Sequence, residues 1–283
     1  MTEEPKKKLS GLSQIWRGFA NTFSKNDSKV IYEGDSNFHH VTITEKEGIR
    51  TLHLGPGGQE SETSISIANP EAPIFEYPGI FFLGLSLTPR NKNILMLGLG
   101  GGYIPNLFKK YLKNHHLTVI EIDPLIAELA STYFGFEPSD NVTLIISDGL
   151  EYVARAKNGH YDQIWLDAFN GNYIPAHMCD SDFLAMVKLK LAEGGLAIQN
   201  LHQTAWMHFR AQLEHTTKVF DQTPLLFAGV RSANTIAMSL NSDDADWPPK
   251  APEIASRIKA FQPKVGPYSL IDEARKQVKG PSD

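Results

Sequence analysis

The stretch "NILMLGLGGGYIPNLFKKYL" (residues 93–112), followed by "LTVIEIDP" (residues 117–124), decides the fold. Residues 93–97 form an apolar run of strand length, Gly98, Gly100, Gly101 and Gly102 crowd a tight turn, and residues 104–112 carry helical spacing. Glycines between a buried strand and a helix let the backbone approach a bound molecule. The helix after the turn offers unpaired N–H groups and the positive end of its dipole. Alone, the G-x-G-x-G spacing is weak; flanked by strand and helix, it predicts a nucleotide or nucleoside site.

Working outward, the periods alternate regularly beyond Pro89. Strands are expected over 94–97, 117–122, 142–147, 163–167 and 196–201, with helices over 104–112, 125–133, 150–156, 180–190 and 205–219. Such alternation predicts a mostly parallel sheet covered by helices on both faces. Two later apolar runs, "PLLFAGV" (224–230) and "TIAMSL" (235–240), joined through "RSAN", read as an antiparallel hairpin at the sheet edge. Upstream, "KVIYEG" (29–34), "HHVTITEKEGIRTLHLGPGG" (39–58) and "SISI" (64–67) read as a small antiparallel sheet, with Glu47-Gly48 as a hairpin turn. The aromatic run "FEYPGIFF" (75–82) opens a helix that packs on later segments of the chain, and residues beyond 242 read as one or two outer helices and a loose end. The expected organisation is a disordered tail over 1–26, an N-terminal β domain over 27–68 and an α/β domain over 69–283.

The ends of successive strands sharpen the ligand. Glu121 closes the second strand about twenty residues after the glycines, where a carboxylate accepts hydrogen bonds from both hydroxyls of a ribose. Asp123 stands before Pro124 and reads chiefly as a helix N-cap. Asp148-Gly149 ends the third strand and is either another cap or the holder of an adenine amino group. Glycine turn, Glu121 and Asp148 in order point to an adenosine-type ligand. Tyr103 occupies the place of the third glycine in a dinucleotide fingerprint, which argues against NAD. The expected fold class is α/β, with a Rossmann-like sheet of the S-adenosylmethionine-dependent methyltransferase type and a small N-terminal antiparallel β domain.

Composition bounds the partners. A net charge of −5 gives no overall electrostatic reason to bind nucleic acid. No apolar run is long enough for a bilayer, so no membrane association is expected, and the single Cys179 excludes an intrachain disulfide. A cytoplasmic location is the default. The pairs His39-His40 and His115-His116 point successive strand side chains to opposite faces, so no metal site is expected. Trp165 reads as core, and Cys179, without an orienting partner, as incidental.

From about residue 30 to residue 200 the chain resembles the polyamine aminopropyltransferases, the spermidine synthase-like family. The resemblance rests on "LGPGGQES" (54–61), Tyr77, "MLGLGGG" (96–102), "VIEIDP" (119–124), "ISDGLEY" (146–152), "YDQIWLDAFNGNYIPAHM" (161–178) and "LAEGGLAIQNL" (191–201). It implies transfer of an aminopropyl group from decarboxylated S-adenosylmethionine to a polyamine or other small-molecule amine, with methylthioadenosine as product and no metal. On this resemblance Gln59, Gly98, Gly100, Gly102, Glu121, Asp148 and Gly149 hold the donor, and Tyr77 and Asp167 face the substrate. The family also forms homodimers or homotetramers, and the open edges of the N-terminal sheet agree with self-association.

Two positions depart from the family pattern. Gly101 replaces an aspartate that holds the diamine, and Asn170 replaces the family's base; Asn172 is also uncharged. Asp167 remains as a candidate catalytic group, with His177 and Tyr173 as other groups able to carry a proton. Convergence of Asp167, Glu76 and Asp180 on one pocket would favour a cationic acceptor. A methyltransferase using intact S-adenosylmethionine and a catalytically inactive nucleoside-binding paralogue are the alternatives.

Overall fold

The computed structural model describes residues 28–55, 60–168, 180–202, 206–229, 234–243, 247–261 and 264–278. Strands β1 (Lys29–Asp35), β2 (His40–Lys46), β3 (Ile49–Leu54) and β4 (Glu60–Ser66) form an antiparallel meander in that order. Glu47 and Gly48, at φ 51° and 76°, make the β2–β3 turn. Two left-handed residues in succession match the twist of a two-residue hairpin, as "EKEGIR" predicts.

Helix α1 (Tyr77–Leu87) is buried from Pro78 to Leu87. It has no polar face because other elements surround it. The α/β unit then runs β5 (Asn93–Leu97), α2 (Tyr103–Tyr111), β6 (His116–Glu121), α3 (Pro124–Phe134), β7 (Val142–Ile146), α4 (Gly149–Arg155) and β8 (Tyr161–Leu166). It continues with α5 (Ser181–Lys190), β9 (Leu191–His202), α6 (Trp206–Phe220), β10 (Leu225–Ala228), β11 (Asn234–Asn241), α7 (Ala251–Ala260) and α8 (Leu270–Ala274). The seven-stranded sheet has the order β10-β11-β9-β8-β5-β6-β7, with β9 to β7 parallel and β11 and β10 antiparallel. Strand order reverses between β5 and β8. A ligand in such a sheet binds outside the carboxyl ends of the strands at that reversal.

Trp165 lies fully buried in one core layer with Phe81, Phe82 and Phe108, as the sequence suggests. Leu95, Leu97, Ile164 and Phe183 fill the opposite face of the sheet. A third layer joins the two sheets: Val41, Ile43, Leu52 and Ile65 of the meander pack on Ile126, Leu129 and Phe134 of α3. Polar contacts reinforce that joint. Ser36 donates its hydroxyl to Asp123, Arg50 donates to the Tyr133 carbonyl, and Gly101 N–H donates to Thr63 Oγ1 at 2.9 Å.

The C-terminal region departs from its expectation. Trp247, Ile254, Val265 and Leu270 are buried in the main core, so α7 and α8 complete that core rather than decorate it. The wholly apolar α1 needs cover on its far side, which these helices supply. The last described residues also guard the sheet edge: Val278 N–H donates to the Leu226 carbonyl and Ala228 N–H to the Lys276 carbonyl. Strand β9, expected as six residues, extends to twelve: β11 pairs with it from Gly195 to His202, and β8 pairs with it as far back as Leu191. Among the described residues no helix is long and apolar enough to cross a membrane.

Candidate functional site

A cleft of about 300 Å³ opens at the carboxyl ends of β5, β6, β7 and β8, and the N-terminal meander closes it from above. Its floor is the glycine turn. Gly98 has φ +98°, and a Cβ there would stand 2.3 Å from the Asp167 carbonyl oxygen. Only glycine allows the two strand ends to approach so closely. Gly100, at φ +54°, also lines the cleft. Gly102 does not line it; at φ 75° it is the N-cap of α2 and presses on Phe136.

Glu121 holds the turn in shape. Its Oε2 accepts the Leu99 N–H at 3.0 Å and its Oε1 accepts the Asp123 N–H at 2.9 Å. Burial pushes its pKa up, and these backbone donors oppose the rise. Each carboxylate oxygen keeps a second lone pair, and Glu121 lines the cleft, so both ribose hydroxyls can still be met. Asp148 is a helix cap that also lines the cleft. Its Oδ1 caps α4 by accepting the Glu151 N–H at 2.9 Å, and the residue lines the cleft beside Ser147 and Gly149. Asp123 caps α3 through the Leu125 N–H at 2.9 Å and lies off the cleft, in agreement with its reading as a cap.

The other end of the cleft gathers groups from distant parts of the chain. Asp167 follows β8 directly; Asn200 Nδ2 donates to its Oδ1 at 2.8 Å, and the buried Tyr77 hydroxyl also hydrogen-bonds to it. Asn234 Nδ2 donates to Asn200 Oδ1 at 2.9 Å, which orients the Asn200 amide so that its NH₂ faces Asp167. Burial pushes the Asp167 carboxyl up to about 7, although both hydrogen bonds favour its ionised form. Tyr77 is raised well above the usual phenol range, first by burial and then by the charges of Asp167 and Glu62, so it stays a donor. Glu62 and Thr63 of β4 line this end, whereas Phe38 and His39 reach into the cleft from the β1–β2 turn on the Asp123 side. Burial lowers the His39 pKa, the nearby Asp123 charge opposing it.

Of the three carboxylates considered for convergence, only Asp167 reaches the cleft. Asp180 caps α5 through the Phe183 N–H at 2.8 Å, and Glu76 precedes α1 without lining the cleft. Glu62 stands there instead, unmarked by any local spacing because it comes from the other sheet. Beside Gly101 there is no room for a side chain: a Cβ would meet Thr63 Cγ2 at 2.8 Å. Gln59, Asn170, Asn172, Tyr173, His177 and Cys179 lie outside the described residues.

Comparison with known proteins places the chain in a family and a fold. The family model of the spermine/spermidine synthase domain matches residues 78–246. A polyamine aminopropyltransferase of Vibrio vulnificus (strain CMCP6) is 32% identical over 190 residues, which cover 66% of this chain and 64% of that relative, just under two thirds of its length. Putrescine N-methyltransferase 1 of Nicotiana tabacum is 26% identical over 205 residues, covering 71% of this chain and 52% of its own. The crystal structure of a spermidine synthase in complex with the transition-state analogue AdoDATO superposes with a TM-score of 0.72 at 19% identity, over 89% of this chain and 86% of that one, and so shares the fold. With a family model running from the start of α1 past the end of β11, over the strands that build the cleft, the chain belongs to the spermine/spermidine synthase family.

Proposed function

We propose that the protein transfers an aminopropyl group from decarboxylated S-adenosylmethionine to an amine, with Asp167 taking the proton. The observation that carries this reading is Asp167 itself: a half-buried carboxylate whose pKa desolvation raises to about 7, held by Tyr77 and Asn200 at the end of the cleft away from Asp148. An amine attacks only after losing a proton, and a base poised near neutral pH is suited to accept it. The new N–C bond forms as the C–S bond of the sulfonium breaks, methylthioadenosine leaves uncharged, and the ammonium proton passes to Asp167. The chain's own contribution is to bind the nucleoside on Gly98, Gly100, Glu121, Asp148 and Gly149, to align the amine and to hold the proton.

Charge supports the decarboxylated donor. The described lining holds four carboxylates, Glu62, Glu121, Asp148 and Asp167, and neither lysine nor arginine. An intact S-adenosylmethionine would bring its own carboxylate into that anionic field. The second reading, methyl transfer to an amine from the intact donor, draws support from the similarity to putrescine N-methyltransferase 1. Gln59 would complete the nucleoside contacts, and self-association through the edges of the meander belongs to the same proposal.

Calorimetric titration with S-adenosylmethionine, its decarboxylated form and methylthioadenosine, each with and without putrescine, separates the readings. Tighter binding of the decarboxylated donor and a product heavier by one aminopropyl group are expected. Preference for intact S-adenosylmethionine and a methylated product would establish the second reading, and nucleoside binding without turnover of any amine would mark an inactive paralogue.

A further inference from the structure

Helix α1 joins the cleft to a second hollow. The last four carbonyls of a helix have no partner within it and must find one elsewhere. In α1 side chains supply it: Gly84 O accepts from Gln163 Nε2 at 2.9 Å, Leu85 O from Asn91 Nδ2 at 2.9 Å, and Leu87 O from Arg257 Nη1. These donors come from β8, from the segment before β5 and from α7. The opposite end of α1 begins with Tyr77, which hydrogen-bonds to Asp167. The helix spans 11 residues, about 16 Å. It is pressed too closely to yield along its length. A Cβ on Gly84 would stand 2.2 Å from Ile198 Cδ1, and one on Gly79 would stand 2.4 Å from Tyr268 Cδ1. A displacement at one end is therefore carried to the other.

The hollow at the far end holds about 570 Å³, within the range of small-molecule sites, and lies at the amino ends of the parallel strands, opposite the cleft. Its floor is apolar: Leu85 and Leu87 are fully buried and Leu240 nearly so. The charged groups of its described lining are two guanidiniums, Arg90 and Arg257, and one carboxyl group, Glu193. The described lining of the cleft, by contrast, has neither lysine nor arginine. Arg257 is committed to the Leu87 carbonyl and to Glu253. Arg90 is held less firmly. Its side chain is 57% exposed and its Nη1 lies 3.9 Å from Asp162 Oδ1, beyond hydrogen-bond length. The other oxygen of Asp162 is engaged with the Lys92 and Asn93 N–H groups at 2.8 and 3.0 Å. A guanidinium is always charged and presents paired donors that match a carboxylate. Above an apolar floor, such a fork suits an anion with a hydrocarbon body.

We infer that this hollow binds a small organic carboxylate, its anionic end on Arg90 and its apolar body on Leu85, Leu87 and Leu240, and that α1 relays its occupancy to the Tyr77–Asp167 pair. The test titrates the native protein calorimetrically with hexanoate, 1-hexanol and hexylamine, which share a six-carbon chain and differ in head group. Hexanoate is expected to bind tightest of the three, and Arg90→Gln to weaken it by about 10–100-fold. Arg90→Lys, which keeps the charge without the fork, should recover part of the loss. Because Arg90 is exposed, both variants should keep the native Tm without ligand. Equal affinity for hexanoate and hexanol, a preference for hexylamine, or unchanged hexanoate affinity in Arg90→Gln overturns the site. The relay is read from the titration of the Asp167 carboxyl by carbon-13 NMR. Saturating hexanoate should move its midpoint from about 7 in the native protein and leave it in place in Arg90→Gln. A midpoint that ignores bound hexanoate overturns the relay. Neither readout needs turnover, so a failure of the aminopropyl-transfer reading and a failure of this inference are separate results.

Discussion

The two ends of the cleft are built on different plans. At the proposed nucleoside end each group sits at the end of a consecutive strand and is tied to nearby backbone: Glu121 to Leu99 and Asp123, Asp148 to Glu151. At the proposed amine end Glu62, Tyr77, Asp167 and Asn200 come from β4, α1, the end of β8 and β9. The first end is a property of local chain geometry, the second of how two sheets and a helix pack. A change at the second end can therefore leave the glycine turn intact, because the carboxylates there are not needed to shape it.

The comparison breaks most sharply at Asp167. Asp167→Asn keeps size and hydrogen-bonding shape, so kcat should fall by about 10²–10⁴-fold while methylthioadenosine affinity, measured by calorimetry, stays close to native. A matching loss of nucleoside affinity would mean that the two ends are not separable. In the native protein kcat should rise with pH through about 7 as the Asp167 carboxylate forms. Stability has the opposite slope. The folded-state pKa lies above the ordinary 3.8, so the stabilisation from protonated Asp167 is complete below that value and is lost as pH rises through about 7. Burial lowers His39 and His115, which works in the other sense, so the difference in unfolding free energy between Asp167→Asn and the native protein isolates the aspartate.

At the nucleoside end the expected effect is on both binding and stability. Glu121→Ala leaves the Leu99 and Asp123 N–H groups without their acceptor, at a cost of about 1–3 kcal/mol for each buried donor. Urea unfolding should register the loss, and methylthioadenosine should bind weakly even at saturating putrescine. A variant of native stability would show that the turn does not depend on its carboxylate. The smallest effect is expected behind the amine end. Tyr268 donates to the Phe75 carbonyl at 3.1 Å and lies 3.4 Å from the Tyr103 hydroxyl, backing the wall that carries Tyr77. Tyr268→Phe should lower stability by about 1 kcal/mol and raise the KM for the amine slightly, with nucleoside affinity unchanged.

The same division explains what is legible in the sequence. The alternation of apolar runs, the glycine cluster and the residues at strand ends are short-range features; they locate β5 to β8 and the Asp123 cap, and they anticipate that Glu121 and Asp148 stand at one cleft. Gly102 reads like its neighbours because spacing does not say which glycine faces a ligand and which turns the chain. Glu62 is invisible for a different reason: it is the extra residue of a β-bulge against β3, and a bulge is defined by the partner strand, so its register cannot be read from β4 alone. The completion of the core by Trp247, Ile254 and Leu270 escapes the sequence reading because their segment is rich in proline and charge, which hides apolar residues that pack singly. Asp180 does not join Asp167 for a reason of helix geometry: it stands just before a helix and serves its first turn.

The hydrogen bond from Gly101 N–H to Thr63 Oγ1 crosses from the nucleotide-type turn to the meander. With the Ser36–Asp123 and Arg50–Tyr133 contacts and the apolar layer on α3, it fastens the roof of the cleft to its floor through one joint. Any molecule that touches floor and roof together adds its binding energy to that joint, and in its absence the roof is secured by the joint alone. The exchange rate of the Gly101 amide with solvent deuterium is thus a local gauge of roof docking, slowing as the cleft fills even though no ligand need touch that nitrogen.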